Sequence, residues 1–218
     1  MPRRLRPTAP IAVDAVLVGD PARALMLAQE LLEQPKMANH ARGLWGYSGR
    51  TPAGHELSVM STGMGGPSAA LVLADLAELG VRSAVRIGTA TALREPIAVG
   101  ELVVVEAAHL GPDGADVAVP APDPELTEAL RVELGAAARA GEAVSFDTLH
   151  APGRAPASAG EVADMQTAAL LGAAARLQVR LAAILVVVAD AAGRELAEEE
   201  LIEAARSAGA AASAALSG

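Results

Sequence analysis

Three short stretches of this sequence carry groups suited to gripping an anion. Gly19-Asp20-Pro21-Ala22-Arg23 puts a glycine where an apolar run ends and an arginine one turn further on. Exposed backbone N–H groups and a guanidinium can therefore converge on one negative group. The same residues also fit an ordinary turn followed by a solvated arginine. Gly63-Met64-Gly65-Gly66-Pro67-Ser68 is a second backbone-rich turn, equally suited to tight packing of a strand onto a helix. Arg86-Ile87-Gly88-Thr89 is the most informative. An arginine near the end of a Val- and Ile-rich strand is expected to be partly buried, and a buried guanidinium needs either an internal carboxylate or a bound anion. Asp190 ends the apolar run that begins at Leu181. There it either caps the next helix or, with its pKa raised by burial, serves as a proton donor.

These groups need elements to position them. Ile11 to Val18 reads as a strand entering the turn at Gly19, and Pro21 suits the start of a helix whose apolar face is Leu25, Leu27, Ala28, Leu31 and Leu32. Pro35 and Lys36 interrupt that face. Leu44 to Ser48 and Leu57 to Ser61 flank a turn-rich stretch and predict a hairpin. Ser68 to Leu79 is helical and stops at Gly80. Further strands are expected around Val85–Gly88, Leu102–Val105, Ala143–Phe146 and Leu181–Val188. Further helices are expected over Pro124–Arg139, Glu161–Leu177 and Glu195–Ala215. The alternation predicts a single α/β domain spanning residues 1–218, a central mixed sheet with helices on both faces, preceded by a flexible segment over residues 1–11. Gly111 to Pro124 and Ala151 to Gly160 read as surface excursions, with His150 an exposed loop histidine.

Composition narrows the functional classes. A formal charge of −9 and only three aromatic residues, Trp45, Tyr47 and Phe146, argue against a nucleic-acid surface. The longest strongly apolar run is core length rather than membrane length. The sequence contains no cysteine, which excludes disulfides and thiolate metal sites. The basic N-terminus leads to Asp14 rather than to a long apolar segment, so no secretory signal is expected and the cytoplasm is the default location.

Taken in order, the three turns resemble those of the nucleoside phosphorylases, in the hexameric branch that includes the purine nucleoside and uridine enzymes. Asn39-His40-Ala41-Arg42-Gly43 lies between the first two turns, and Asp190 stands at a late strand end. The resemblance runs from about Ala15 to Asp190 and is most specific over Ser61 to Ala70 and Arg86 to Thr89. It implies that Gly19, Arg23, Arg86 and Thr89 bind phosphate, and that Arg42 reaches the same phosphate in a neighbouring subunit of a homodimer or of a hexamer built as a trimer of dimers. It places Met165 under the ribose, and Gln166 where the family's glutamate holds the ribose hydroxyls. Thr91, Leu149 and Asp164 complete the nucleoside-binding set, and Asp190 is the acid that protonates the leaving base. The implied reaction is phosphorolysis of a nucleoside to a free base and a pentose 1-phosphate, with phosphate as co-substrate and neither metal nor organic cofactor. Phosphate on one side of the sugar and a proton donor on the other would stabilise the charges that develop as the bond breaks.

The sequence departs from the family on the nucleoside side. Asp164-Met165-Gln166 replaces Glu-Met-Glu, and Gln166 cannot act as a charge-assisted acceptor. Thr91 adds a branched side chain where the base approaches. No histidine precedes His40, and the arginine that assists the catalytic aspartate is missing from its usual spacing, with Arg194 and Arg206 as substitutes. These departures leave two alternatives: a non-catalytic phosphate- or metabolite-binding module, and a hydrolytic nucleosidase.

Overall fold

The computed structural model describes residues 4–111, 117–148 and 160–218. Its strands are β1 (Asp14–Val18), β2 (Glu33–Asn39), β3 (Gly46–Arg50), β4 (Glu56–Ser61), β5 (Ser83–Ala92), β6 (Leu102–Leu110), β7 (Val117–Ala118), β8 (Ala138–Ser145), β9 (Val162–Asp164) and β10 (Arg180–Ala189). The helices are α1 (Pro21–Leu31), α2 (Gly65–Glu78), α3 (Pro124–Leu134), α4 (Thr167–Leu177) and α5 (Glu198–Ser217). All ten strands join one mixed sheet, as the alternation of elements predicts. Pairings β5–β10, β10–β6, β6–β8, β8–β9 and β9–β5 close five of them into a ring, from which β1, β4, β3 and β2 extend as an open wing.

Side chains that alternate along the strands feed two cores. On β10, Leu181, Ala183, Leu185 and Val187 pack toward α2 and α4, while Ala182, Ile184 and Val186 pack toward α1, α3 and α5. This period-two division of a wholly apolar strand explains its composition, because both faces are covered. The alanine-rich α5 buries Ala208, Ala211, Ala212 and Ala215. Small side chains allow it to lie close to the neighbouring helices.

Strand β5 organises the site. Along one edge it pairs with β10 from Ser83 to Thr91. Along the other it pairs with β1 as far as Ile87, then with β9 at Thr91 and Ala92. Between those partners, the edge over Gly88, Thr89 and Ala90 has no strand beside it among the described residues. The parallel strands β1 and β4 finish together, with Val18 in register with both Ser61 and Ile87, while β5 runs on beyond them to Ala92. Gaps at the carboxyl ends of parallel strands, where neighbours change, are where α/β sheets hold ligands.

Several expectations are corrected. Residues 161–177 do not form one helix: Val162–Asp164 is a strand between β5 and β8, and α4 starts only at Thr167. Helix α3 stops at Leu134 rather than Arg139, because Gly135 has a φ of 51° and β8 starts at Ala138. Glu33–Asn39 is a strand despite Pro35, at the outer edge of the wing where a missing N–H is tolerated. The lead to β1 is not loose over residues 4–11. The Arg4 and Leu5 amides donate to the buried Asp75 carboxylate at 2.6 and 2.9 Å, the Arg4 guanidinium adds a contact at 2.9 Å, and Leu5 is buried.

Candidate functional site

A cavity of about 590 Å³ opens at the gap in β5. Gly19 and Arg23 reach it from the turn and first helical residues after β1. Met64 and Gly65 come from the turn before α2, Arg86, Thr89 and Thr91 from β5, and Asp164, Met165 and Gln166 from the β9–α4 turn. Eight of the residues singled out in the sequence therefore share one concavity.

Arg23 stands close to the start of α1. Asp20 caps that helix, accepting the Ala22 amide at 2.6 Å, Pro21 opens it without an N–H, and the Ala24 amide bonds the Asp20 carbonyl, so the Arg23 amide is the one left over in the first turn among the described residues. Burial holds the Arg23 pKa below the ordinary guanidinium value; Asp20 and Glu198 pull it back up, and Arg86 is close enough to push it further down. Among the described residues Arg23 has no hydrogen-bonded or ion-paired partner. A partly desolvated cation beside a second arginine is a site for an anion.

Arg86 is 3% exposed and answers the question left open by its position in the strand. Its partner is an internal carboxylate: Nη2 donates to Asp164 Oδ2 at 2.8 Å, Nη1 to Gln166 Oε1 at 2.6 Å, and Nε to Thr167 Oγ1 at 3.0 Å. Three of its five N–H groups are used, leaving two for a ligand. Gly88 makes room for this arrangement, since a Cβ there would lie 2.5 Å from Arg86 Nη2 and 2.7 Å from Leu185 Cδ2.

Asp164 is completely buried. Besides Arg86 it accepts the Thr167 hydroxyl at 2.7 Å, the Thr167 and Gln166 amides at 3.0 and 3.2 Å, and the Ser145 hydroxyl. Ser145 in turn accepts the Ala168 amide at 2.9 Å. Asp164 and Ser145 thus bind the N-terminus of α4, where free N–H groups and the helix dipole favour a negative charge. The expectation that Asp164 contacts a nucleoside is corrected: its carboxylate is spent on holding Arg86 and α4. Gln166 is also committed, with Nε2 donating to the Gly63 and Gly65 carbonyls at 2.7 and 3.2 Å and Oε1 lying between Arg86 and the Thr62 hydroxyl, 3.1 Å away.

Two other predicted residues lie apart. Arg42 is exposed on a single 3₁₀ turn, Ala41–Gly43, with φ 60° and ψ 20°, and does not line this cavity. Asp190 does not line it either. Its carboxylate accepts the Ala192 and Arg194 amides at 3.0 and 2.9 Å and pairs with Arg194 Nε at 2.6 Å. The Arg194 amide, then the Arg194 guanidinium, hold its pKa below the usual carboxylate value against the opposing effect of burial. The expected rise in pKa is therefore overturned. The carboxylate is buried, but it is too well supplied with donors to be kept neutral. Leu149 and His150 lie outside the described residues.

The family model described as "Phosphorylase superfamily" matches residues 14–218. This chain belongs to the phosphorylase superfamily. Among curated members, a DeoD-type purine nucleoside phosphorylase of Streptococcus suis is 35% identical over 152 residues, 65% of this chain and 64% of the relative. The corresponding protein of Streptococcus gordonii is 43% identical over 99 residues, 45% of this chain and 41% of the relative. The matches thus span less than two thirds of these relatives' length. The crystal structure of purine nucleoside phosphorylase from Toxoplasma gondii in complex with immucillin-H superposes with a TM-score of 0.81 at 21% identity, covering 95% of this chain and 91% of that one. That likeness establishes the fold. The resemblance drawn from the turns at Gly19, Gly63 and Arg86 is borne out at the level of family and fold.

Sequence reasoning missed the residues behind the site. Ser145, Thr167 and Thr62 orient Asp164, Arg86 and Gln166, although Asp164 three residues before Thr167 is the spacing of a helix start and carried the signal. Met64, 89% exposed at the cavity wall, was passed over as part of a turn. Among the described residues no cluster of His, Asp or Glu could hold a metal ion, and no helix is long and apolar enough to cross a membrane.

Proposed function

We propose that this protein cleaves the N-glycosidic bond of a nucleoside with inorganic phosphate. The observation that carries the reading is Arg23: a partly buried guanidinium without a partner among the described residues, beside Arg86, at the N-terminal end of α1 and lining the same cavity as Gly19 and Thr89. Two arginines at a helix N-terminus suit a phosphate dianion. A phosphate oxygen held there attacks the anomeric carbon. The carbon–nitrogen bond breaks with its electron pair passing to the base, and a proton neutralises the base as it leaves. Met165, Val188 and Ala90 supply apolar wall for the nucleoside, with Thr91 beside them. In this reading Asp190 passes on the proton only after Arg194 has released its carboxylate and that carboxylate has turned into the cavity and taken up a proton from solvent.

Arg42, exposed and held in a left-handed conformation, is the residue that a second copy of the chain would receive. The assembly in this reading is a homodimer, or a hexamer built from three of them, acting in the cytoplasm on nucleoside and phosphate without metal or organic cofactor.

The test is release of base from a panel of purine and pyrimidine nucleosides, with and without phosphate. Phosphate-dependent release is expected. Equal rates without phosphate would establish a hydrolytic nucleosidase instead. The Asp190–Arg194 pair favours a second reading, a phosphate-binding module without turnover. Tight phosphate binding, no base release, and no effect of Asp190→Asn would establish it.

A further inference from the structure

Gln166 stands where the turns around the cavity meet, and it is 3% exposed. Its Nε2 donates to the Gly63 and Gly65 carbonyls at 2.7 and 3.2 Å, and its Oε1 accepts from Arg86 Nη1 at 2.6 Å. A Cβ on Gly19, at the entry to α1, would lie 3.5 Å from the Gly63 carbonyl and 3.9 Å from that same Oε1. The Thr62 hydroxyl has one proton and two acceptors within reach, the Val18 carbonyl at 3.0 Å and Gln166 Oε1 at 3.1 Å. Arg86 is thus the one charged donor to this oxygen among the described residues.

The bridge needs a donor at one end, facing two carbonyls, and an acceptor at the other, facing a guanidinium. An amide supplies both, whereas an ionised carboxylate only accepts. An ionised glutamate of the same length would turn one oxygen against the Gly63 and Gly65 carbonyls. It would also set a second negative charge on Arg86. At present Asp164 is the only ionic partner of Arg86 among the described residues, and that carboxylate also serves the Ser145 and Thr167 hydroxyls and the N-terminus of α4. Its charge is shared, so Arg86 keeps positive potential on its two remaining N–H groups, beside Arg23. Gln166 aims the guanidinium without neutralising it.

We infer that Gln166 is a positioning residue for the anion held by Arg23 and Arg86: it ties the Gly63–Gly65 turn to Arg86 and keeps the site one unit of charge more positive than a glutamate would leave it. The inference rests on the anion-binding half of the phosphorolytic reading, and neither the sugar nor the base enters it.

The test is calorimetric titration of the full chain with sulfate and with phosphate, from about pH 5 to about pH 8, in the wild type, Gln166→Glu and Gln166→Met. Sulfate stays a dianion throughout, so its affinity reports on the protein alone. A unit charge added about 5 Å from the anion in a partly buried site weakens binding roughly ten- to a hundredfold, the loss expected for Gln166→Glu at about pH 8. A bound anion in turn favours the protonated glutamic acid, whose hydroxyl can donate to a glycine carbonyl as the amide does. The variant-to-wild-type affinity ratio is therefore expected to climb toward one as pH falls to about 5. The other charged groups facing this region are Asp20, Arg23 and Glu198 at the start of α1, Arg86 and Asp164 around the amide, and Asp147 near Gly66. They are common to all three proteins and cancel in the ratio. Gln166→Met breaks the bridge without adding charge, so its affinity is expected to fall about three- to tenfold, by the same factor at every pH. The inference is overturned, with phosphorolysis left standing, by a Gln166→Glu ratio that does not change with pH, by a Gln166→Met ratio that follows the same pH profile, or by Gln166→Met binding as tightly as the wild type. If the wild type binds neither anion, the phosphate site and this inference fall together.

Discussion

Removing Asp164 should cost this protein more than removing the arginine it neutralises. In Asp164→Ala, the Arg86 guanidinium stays at 3% exposure without a counter-charge, and the Ser145 hydroxyl and Thr167 amide lose their acceptor. Breaking a buried ion pair from the side that leaves an uncompensated charge costs about 3–5 kcal/mol. For a chain of this size that corresponds to a fall in Tm of roughly 6–20 °C. In Arg86→Met, Asp164 keeps the Ser145 and Thr167 hydroxyls, two amides and the N-terminus of α4, so the expected cost is about 1–3 kcal/mol. The double variant should be more stable than the sum of the single effects by about 1 kcal/mol or more, since the two residues touch. Urea and thermal unfolding of the three variants and the wild type measure all of this. If Asp164→Ala were no more destabilising than Arg86→Met, the view of Asp164 as the fixed counter-charge of the site would be wrong.

Gly88→Ala should drive the Arg86 guanidinium off its partners, costing about 1–3 kcal/mol and at least tenfold in phosphate affinity by calorimetry. Unchanged affinity would show that the close approach is not needed. Asp190 has a folded pKa depressed below its unfolded value, so its contribution to stability is complete above about pH 4 and is lost as pH falls through the folded pKa. Arg194→Ala should therefore destabilise at pH 7 and progressively less toward pH 3, and an equal difference at both ends would contradict the pairing. Arg42→Gly relieves a left-handed backbone and should be neutral or up to about 1 kcal/mol stabilising in the isolated chain, while weakening phosphate binding in the assembly. Urea titration of the isolated chain and calorimetric phosphate titration of the assembly would check both halves.

What the sequence revealed of this site was what a turn or a buried strand displays locally. Gly19 and Arg23 follow an apolar run, and Arg86 sits among Val and Ile, so their grouping could be read directly, although the strand expected to end at Gly88 runs on to Ala92 and leaves Arg86 inside it. The identity of Arg86's partner could not, because Asp164 comes from a three-residue strand too short to show a period and flanked by alternations that look helical. Asp190 illustrates a different limit. Burial was foreseeable from its place after Leu181–Ala189, but the sign of its pKa shift depended on a turn that folds the Arg194 amide and guanidinium back onto it. The ring closure β5–β9–β8–β6–β10 lay equally beyond reach, since it depends on pairings between distant segments, whereas the layering of helices on both faces followed from the alternation of elements.

The unpaired edge of β5 also bears on how this scaffold tolerates change. Where a strand is paired on both sides, substitutions disturb packing and ladder together. Over Gly88, Thr89 and Ala90 no strand lies on one side among the described residues, so the partly exposed side chain at 89 can vary without breaking a rung on that edge, while Ala90 stays buried in the core and β10 holds the strand firmly on the other. Rigidity and mutability thus coexist within a few residues, the combination that lets a binding site acquire a new ligand without the fold being rebuilt.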